Sequence, residues 1–411
     1  MFRPDFSLKS ELASRQTVAA THVGFVLSGV VTTLLGPLLP ALAVRWSLND
    51  IQAGYLFTAQ SIGTLAGVSV GGPITRRIGW LRGLGIGFVL MSSGLAALGV
   101  SSWFWGLTAV SLNGIALGIV LPATNLLVAG VNPARRAESL NILNLLWGFG
   151  AVLGPVIVVP LTRAGGIRTP LMLLAFLSAA TAIWLVRLPV IRVAEVSEQH
   201  GKSERFTSKT FRTWFVLLVA LLGFLYVGSE NAVGGWIALY SIRLIRSLGA
   251  SGAWTPSIFW AALLAGRAAV PVALRFMTPE KLVLAGLLLA ASGLSLLVTA
   301  HSAPALLAGI VLTGFGFGPV FPTSIASATH HLGTGASRAV NLFFAMGTLG
   351  SATLPWTVGF LSTRYGNLRT GLAAALLAGV ALIALQLGIM LLLTRYRTAR
   401  FSNHVVEQRG V

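Results

Sequence analysis

The sequence predicts an all-α membrane protein of twelve transmembrane helices in two pseudo-symmetric six-helix halves, and three observations carry that prediction. The first is composition. Apolar residues make up 55% of the 411-residue chain and charged residues 9%, with a mean hydropathy of +0.83. A soluble domain carries about 25% charged residues because water must be faced with something. This chain lacks that polar surface, so its exterior faces lipid. The second observation is length: apolar stretches of roughly 20 residues, enough to cross a hydrocarbon core of about 30 Å, recur along the whole sequence. The third is an internal repeat at an offset of about 200 residues.

In order, the spans are 17–44, 51–74, 81–100, 103–130, 139–162, 168–189, 213–241, 253–277, 280–300, 304–329, 336–363 and 368–394. The first reads as long and uninterrupted with no small-residue cleavage site, hence a retained helix rather than a signal peptide. Short basic connections at 75–82 and 131–138 separate the second span from the third and the fourth from the fifth. Several spans are rich in Gly and Pro, which membrane helices tolerate when neighbours satisfy the backbone. The one long polar stretch, 190–212, has mixed charge and reads as a solvated linker. It divides an N-terminal half, 1–189, from a C-terminal half, 213–411.

The repeat is sharpest in two helix pairs. Gly114, Gly118 and Pro122 of span four match Gly314, Gly318 and Pro322 of span ten. Asn141, Gly150 and Pro155 of span five match Asn341, Gly350 and Pro355 of span eleven. One residue less of offset aligns Gly24, Phe25 and Gly29 with Gly223, Phe224 and Gly228. Parallel halves joined by a linker form a rocker-type carrier, with the substrate held near the midplane between them.

Charge sets the orientation. Of the 29 Lys and Arg residues, Arg45, Arg163, Arg168, Arg243, Arg246, Arg364 and Arg369 fall on one side and Arg267 lies within a span, leaving 21 on the side of both termini. The positive-inside rule then places both termini in the cytoplasm of an inner-membrane, multi-pass protein. Net charge +19 does not indicate a nucleic-acid partner, because the basic residues are spread thinly rather than clustered on a soluble face. The partners expected are lipids and a small molecule, and the protein is expected to be a monomer. The chain has no Cys, which removes disulfides, thiol nucleophiles and thiolate metal sites.

Two motifs extend the reading. Gly72-Pro-Ile-Thr-Arg-Arg-Ile-Gly-Trp-Leu-Arg82 resembles the cytoplasmic signature of the major facilitator superfamily, with Gly72, Arg76 and Gly79 matching, Thr75 in place of Asp and Trp80 in place of a basic residue. The resemblance implies gate roles for Gly72 and Arg76. Tyr226-Val-Gly-Ser-Glu-Asn-Ala-Val-Gly-Gly-Trp-Ile-Ala-Leu-Tyr240 in span seven resembles the fucose–galactose–glucose proton symporter branch, which implies monosaccharide transport, usually coupled to protons and in some members to sodium. Members of that branch commonly carry carboxylates in spans one and four, where this chain has only His22 and Asn113. Gly150-Ala-Val-Leu-Gly-Pro155 resembles the Gly-x-x-x-Gly-Pro of drug–proton antiporters, a spacing that also lets helices pack closely.

Among the ten acids, only Glu230 lies well inside a span. A charged acid there costs roughly 2.5–3.5 kcal/mol or more, so it needs a partner or a task. Loading and releasing a proton is such a task. At 1.5 Å per residue, Glu230 sits roughly 16 Å and Arg267 roughly 21 Å below the outer ends of their spans. A salt bridge is therefore in reach, and one that opens on substrate binding would couple substrate to proton. His22 is the remaining proton-relay candidate. For the substrate, the amides Gln60, Asn113, Asn141, Asn144, Asn231 and Asn341 offer both donors and acceptors to sugar hydroxyls. Trp147, Trp236, Trp260 and Phe344 offer aromatic faces for the sugar's C–H surface. For any single amide, tying helices together is favoured over ligand contact.

No nucleotide-binding loop, nucleophile elbow or carboxylate pair occurs, and His330 and His331 lack a nearby acid for a metal site. The expectation is a non-enzymatic secondary transporter without cofactor or metal. It moves a small neutral polar solute, foremost a monosaccharide, with a proton, or with sodium as the alternative ion. A drug or metabolite exporter and a non-transporting membrane sensor are the rival readings.

Overall fold

In the computed structural model, residues 5–131, 135–189, 209–245, 251–333 and 336–409 are described. They form fourteen α-helices: α1 (Asp5–Thr33), α2 (Leu35–Arg45), α3 (Asp50–Ile78), α4 (Trp80–Val100), α5 (Trp103–Val131), α6 (Arg136–Gly165) and α7 (Arg168–Arg187), then α8 (Lys209–Leu244), α9 (Thr255–Ala273), α10 (Pro279–Thr299), α11 (Ala303–Phe317), α12 (Val320–Leu332), α13 (Ala336–Tyr365) and α14 (Leu368–Arg409). Most of the linker expected at 190–212 lies outside the described residues.

Among the described residues, nine spans are long and apolar enough to cross a membrane, with α11 and α12 counted as one, and α1 with α2 forms a tenth, bent by 44°. The helices α3 and α13 have the length, at 29 and 30 residues, but are more polar. They pack against each other, so each buries polar groups on protein rather than facing lipid all round. Those two complete twelve rods.

The first span is therefore not uninterrupted as expected. Pro37 has no N–H to give the Thr33 carbonyl, and its ring crowds that carbonyl, so the helix ends at Thr33 and restarts at Leu35. Span ten breaks for the same reason, at Gly318–Pro319. Pro319 and Pro322 remove two backbone donors within one turn.

The repeat is a repeat of packing. A Cβ on Gly114 or Gly118 would strike the carbonyl oxygens of Gln60 and Thr64 on α3. A Cβ on Gly314 or Gly318 would strike those of Phe259 and Leu263 on α9. Likewise Gly150 lies on the Val26 carbonyl of α1, and Gly350 on the Phe224 carbonyl of α8. Helix backbones thus touch at equivalent places in the two groups of helices, as small residues allow in membranes.

The helices α1–α7 and α8–α14 meet chiefly at the face away from the termini. There Thr58 donates to the Ala352 carbonyl (2.7 Å) and the Ile51 N–H to Thr363 Oγ1 (3.0 Å). Asp50 accepts from Ser362 Oγ (2.5 Å) and from Arg243 Nη1 (2.8 Å). Phe57 packs on Trp236 at 6.0 Å between ring centroids, and Gly36 of α2 rests on the Gly234 carbonyl of α8. At the face of the termini, Asn141, Asn144, Asn341 and Phe344 are exposed near the starts of α6 and α13.

Candidate functional site

Midway through the bundle, α6, α8, α9 and α12 converge on two buried charges. Glu230 is 6% exposed, and its Oε2 lies 3.8 Å from Arg267 Nη2, so the ion pair that span depth made feasible is present. The Arg267 guanidinium sits 6.0 Å from the Trp147 ring centre and 5.8 Å from that of Phe321. One ring belongs to each group of helices, so Arg267 bridges them by cation–π contact. Trp147 meets Trp260 edge to face at 5.8 Å. Tyr226, one turn before Glu230, donates to the Phe317 carbonyl at 3.2 Å, beside the break in span ten.

Two buried atoms in this cluster have no hydrogen-bond partner: Arg267 Nε and Trp260 Nε1. Both are donors only. Leaving a buried donor unmatched costs about 1–3 kcal/mol, so the cluster is built to receive acceptor oxygens. Its formal charge is zero, the glutamate offsetting the arginine. A neutral, oxygen-rich molecule satisfies both conditions.

The other sequence-derived residues divide into three sets. Asn144 and Trp147 lie one turn apart on α6, and Asn341 and Phe344 one turn apart on α13. Phe344 touches Phe321 at 5.8 Å, so both pairs lead toward Arg267. Asn144 gives its amide to the Leu140 carbonyl of its own helix (2.9 Å) and is exposed. Asn141 is exposed as well. A second set sits in helix contacts. Asn231 donates to the Val227 carbonyl (2.8 Å) and to Ser351 Oγ (3.1 Å), tying α8 to α13. Trp236 is fully buried and donates to the Pro355 carbonyl at 2.9 Å. Asn113 is buried against Gly94 of α4 with Oδ1 unpartnered, inside the first group of helices. The third set stands apart from the cluster. His22 and Gln60 are half-buried on α1 and α3. Arg76 is exposed, with its guanidinium folded back over Gly72.

Sequence reasoning missed Phe321 and the Asp50–Ser362–Arg243 contact. A signal for the latter was present: Asp50 is the one acid in the connections on the side away from the termini, among seven arginines.

Comparison with known proteins now bears on this geometry. The family model described as Major Facilitator Superfamily matches residues 21–277. The chain belongs to the major facilitator superfamily. It is 26% identical over 358 residues to a putative glucose/galactose transporter of Helicobacter pylori, covering 80% of this chain and 85% of that one. It is 23% identical over 361 residues to sodium-dependent glucose transporter 1 of Xenopus laevis, covering 81% and 73%. Among solved structures, the nucleoside transporter NupG superposes with a TM-score of 0.71 at 13% identity, over 93% of this chain and 99% of that one. The transporter FucP in its outward conformation gives 0.61 at 18% identity, over 90% and 98%. The protein is thus a multi-pass membrane transporter of this superfamily, not an enzyme.

Proposed function

We propose that this transporter carries a monosaccharide or similar small polyol across the inner membrane together with a proton, as a monomer with both termini in the cytoplasm. Residues 1–189 and 213–411 rock about the central cluster, with 190–212 as the linker. The carrying observation is Arg267, held between Trp147 and Phe321 with Nε and the neighbouring Trp260 Nε1 unmatched. Sugar hydroxyls supply the missing acceptors, and indole faces suit the sugar's C–H surface. The zero net charge disfavours a lipophilic cation. The names of the Helicobacter relative and of a solved fucose:proton symporter support the same substrate class.

Glu230 is the coupling group in this reading. A substrate that binds Arg267 loosens the 3.8 Å ion pair, and the freed carboxylate takes up the proton that travels with the sugar. Glu230→Gln mimics the protonated acid. It should abolish pH-driven accumulation in liposomes while sparing sugar–sugar counterflow, which needs no net proton release. Accumulation that survives in the mutant removes Glu230 as the carrier and makes His22 the next candidate. A sodium gradient imposed on the same vesicles decides between the two ions.

One observation favours a second reading, export of small aromatic compounds: the chain is 30% identical over 194 residues, 46% of its length, to the 2-nitroimidazole transporter of Escherichia coli. Thermal stabilisation by a nitroimidazole and by no sugar would establish it.

A further inference from the structure

The hydroxyl of Tyr226 links the surroundings of Glu230 to the break in span ten. Tyr226 precedes Glu230 by one turn of α8, so the two side chains share a face, and its hydroxyl faces both the Glu230 carboxylate and the Arg267 guanidinium. The side chain is buried. It donates to the Phe317 carbonyl at 3.2 Å, and its ring meets that of Phe317 edge to face at 5.6 Å. Phe317 is the last residue of α11, where helix carbonyls run out of intrahelical donors. We propose that Tyr226 is a positioning residue for coupling. Its hydroxyl holds the break in span ten while Glu230 is paired or protonated and lets it go while Glu230 is charged and unpaired, so that substrate does not cross without its proton. This rests on the reading of Glu230 as the coupling group.

A phenol has one hydrogen to give and lone pairs to receive another. In the structure Glu230 has the Arg267 guanidinium at 3.8 Å, and the Tyr226 hydrogen goes to the Phe317 carbonyl. Substrate bound at Arg267 draws the guanidinium away. The bare carboxylate then has the Tyr226 hydroxyl one turn away on its own helix, and a charged acceptor outcompetes a carbonyl. The Tyr226 hydrogen turns to Glu230, and the Phe317 carbonyl is released. When a proton reaches Glu230, the carboxylic acid becomes a donor. Its hydrogen goes to Tyr226 Oη, and the phenol turns its own hydrogen back to Phe317. The phenol keeps that hydrogen throughout, so the one proton that is carried is the one bound to Glu230. Among the described residues, Arg267 and Tyr226 are the charged and titratable groups that face Glu230.

The break is where such a change is felt. Gly318 packs so closely on α9 that a Cβ there would lie 2.7 Å from the Arg267 backbone nitrogen. Phe321, at the start of α12, lays its ring 5.8 Å from the Arg267 guanidinium. The end of α11 thus rests on Tyr226 and the start of α12 on Arg267. Span ten moves as one rod with α8 and α9 while the Tyr226 bond is closed. That bond is closed in the empty carrier with its ion pair and in the carrier loaded with substrate and proton, the two states that cross in symport. It is open with substrate alone, the state that must not cross.

Tyr226→Phe keeps the ring and removes the hydroxyl. Full-length wild type and variant are reconstituted in the same liposomes, with whichever of glucose, galactose and fucose raises the wild type's melting temperature most. Sugar affinity, counterflow at acid and at alkaline pH, and protons moved per sugar, from a trapped dye, are read together. The variant should bind sugar as the wild type does. Its counterflow at acid pH should fall about fivefold, the weight of one neutral hydrogen bond in an equilibrium, and should no longer change with pH. Its uptake should move fewer protons per sugar. Slowing with the wild-type pH profile intact makes Tyr226 a packing residue and overturns the inference, as does an unchanged proton ratio; in both cases the reading of Glu230 stands. A wild type that takes up none of the sugars, or takes them up without protons, overturns that reading and this inference with it. If Tyr226→Phe does not fold, spin labels at Ala308→Cys and Ala326→Cys, exposed on either side of the break, decide in the otherwise wild-type chain. Sugar should widen their distance distribution at alkaline pH and not at acid pH, and equal responses overturn the proposal.

Discussion

Spans four and ten occupy matching positions in the repeat and rest on their neighbours through matching glycines, yet α5 is one helix of 29 residues while α11 and α12 are two of 15 and 13. Pro122 and Pro322 are common to both. What differs is Pro319, which sits three residues before Pro322 and has Ile119 at the matching position. A single proline is absorbed by a packed membrane helix, but two within one turn remove adjacent ladder bonds. The broken span is also where the chemistry lies. Phe321, whose ring lies against Arg267 in the central cluster, is on α12. The glycine ladder is a shared scaffold, whereas the buried charges belong to the second group of helices alone.

The largest effect should come from breaking that asymmetry at the charges. Arg267→Met leaves Glu230 buried without its partner, at a cost of about 3–5 kcal/mol. A steep loss of melting temperature and folded yield is expected in detergent. The double change Glu230→Gln with Arg267→Met should recover most of it. Equal stability of the single and double variants would mean that the pair carries little of the fold.

Next in size is a matched test of the ladder. Gly118→Ala and Gly318→Ala each force a methyl group against a carbonyl, and overpacking of this kind costs about 1–3 kcal/mol. Both should lower the melting temperature comparably. Only Gly318→Ala should also weaken substrate binding, because its new Cβ would lie 2.7 Å from the Arg267 backbone nitrogen. Identical binding by both variants would show that position 318 serves packing alone.

The same contrast explains what could be read in advance. Composition and span length made the membrane class legible, and the glycine matches made the repeat legible, because helix contacts in lipid depend on small residues at fixed spacing. Glu230 and Arg267 were legible because a charge within a span is costly and needs a partner. The breaks were not anticipated, although both follow from prolines: Pro37 and Pro319 read as tolerable single residues until their place relative to neighbouring prolines and packing is known. Phe321 was invisible since one phenylalanine among 21 carries no signal until a guanidinium lies beneath it. Amides were ambiguous for a physical reason. Asn231 ties two helices and Asn144 faces open space, and nothing local in the sequence separates those fates.

A smaller effect is expected where the two groups of helices close on each other. Asp50 holds Ser362 and Arg243 across that contact, and hydrogen bonds to a charged group contribute about 1.5–3 kcal/mol, less when part-exposed. Asp50→Asn should shift the population toward opening at this face with little change in melting temperature. The chain lacks Cys, so spin labels at Val44→Cys and Tyr365→Cys can follow the distance across the contact directly. A distance distribution unchanged by Asp50→Asn would leave closure to the apolar contact of Phe57 with Trp236.

The smallest expected effect separates the two rims of the central cluster. Asn144 precedes Trp147 by one turn and Asn341 precedes Phe344 by one turn, but only Asn144 leads to a ring stacked on Arg267 itself. A substrate bound at Arg267 should therefore reach Asn144 more closely than Asn341. Asn144→Ala removes one neutral donor–acceptor contact, worth about 0.5–1.5 kcal/mol, or roughly a twofold to twelvefold loss of affinity. Because Asn144 is exposed and its amide bonds only to its own helix, the melting temperature without substrate should not change. Asn341→Ala should leave both quantities nearly as they were. Sugar titrations of the three proteins, followed by intrinsic tryptophan fluorescence from Trp147 and Trp260, measure the difference. Equal losses at the two positions would place the substrate symmetrically between α6 and α13. Unchanged affinity with a lowered melting temperature in Asn144→Ala would assign that residue to the helix and not to the substrate.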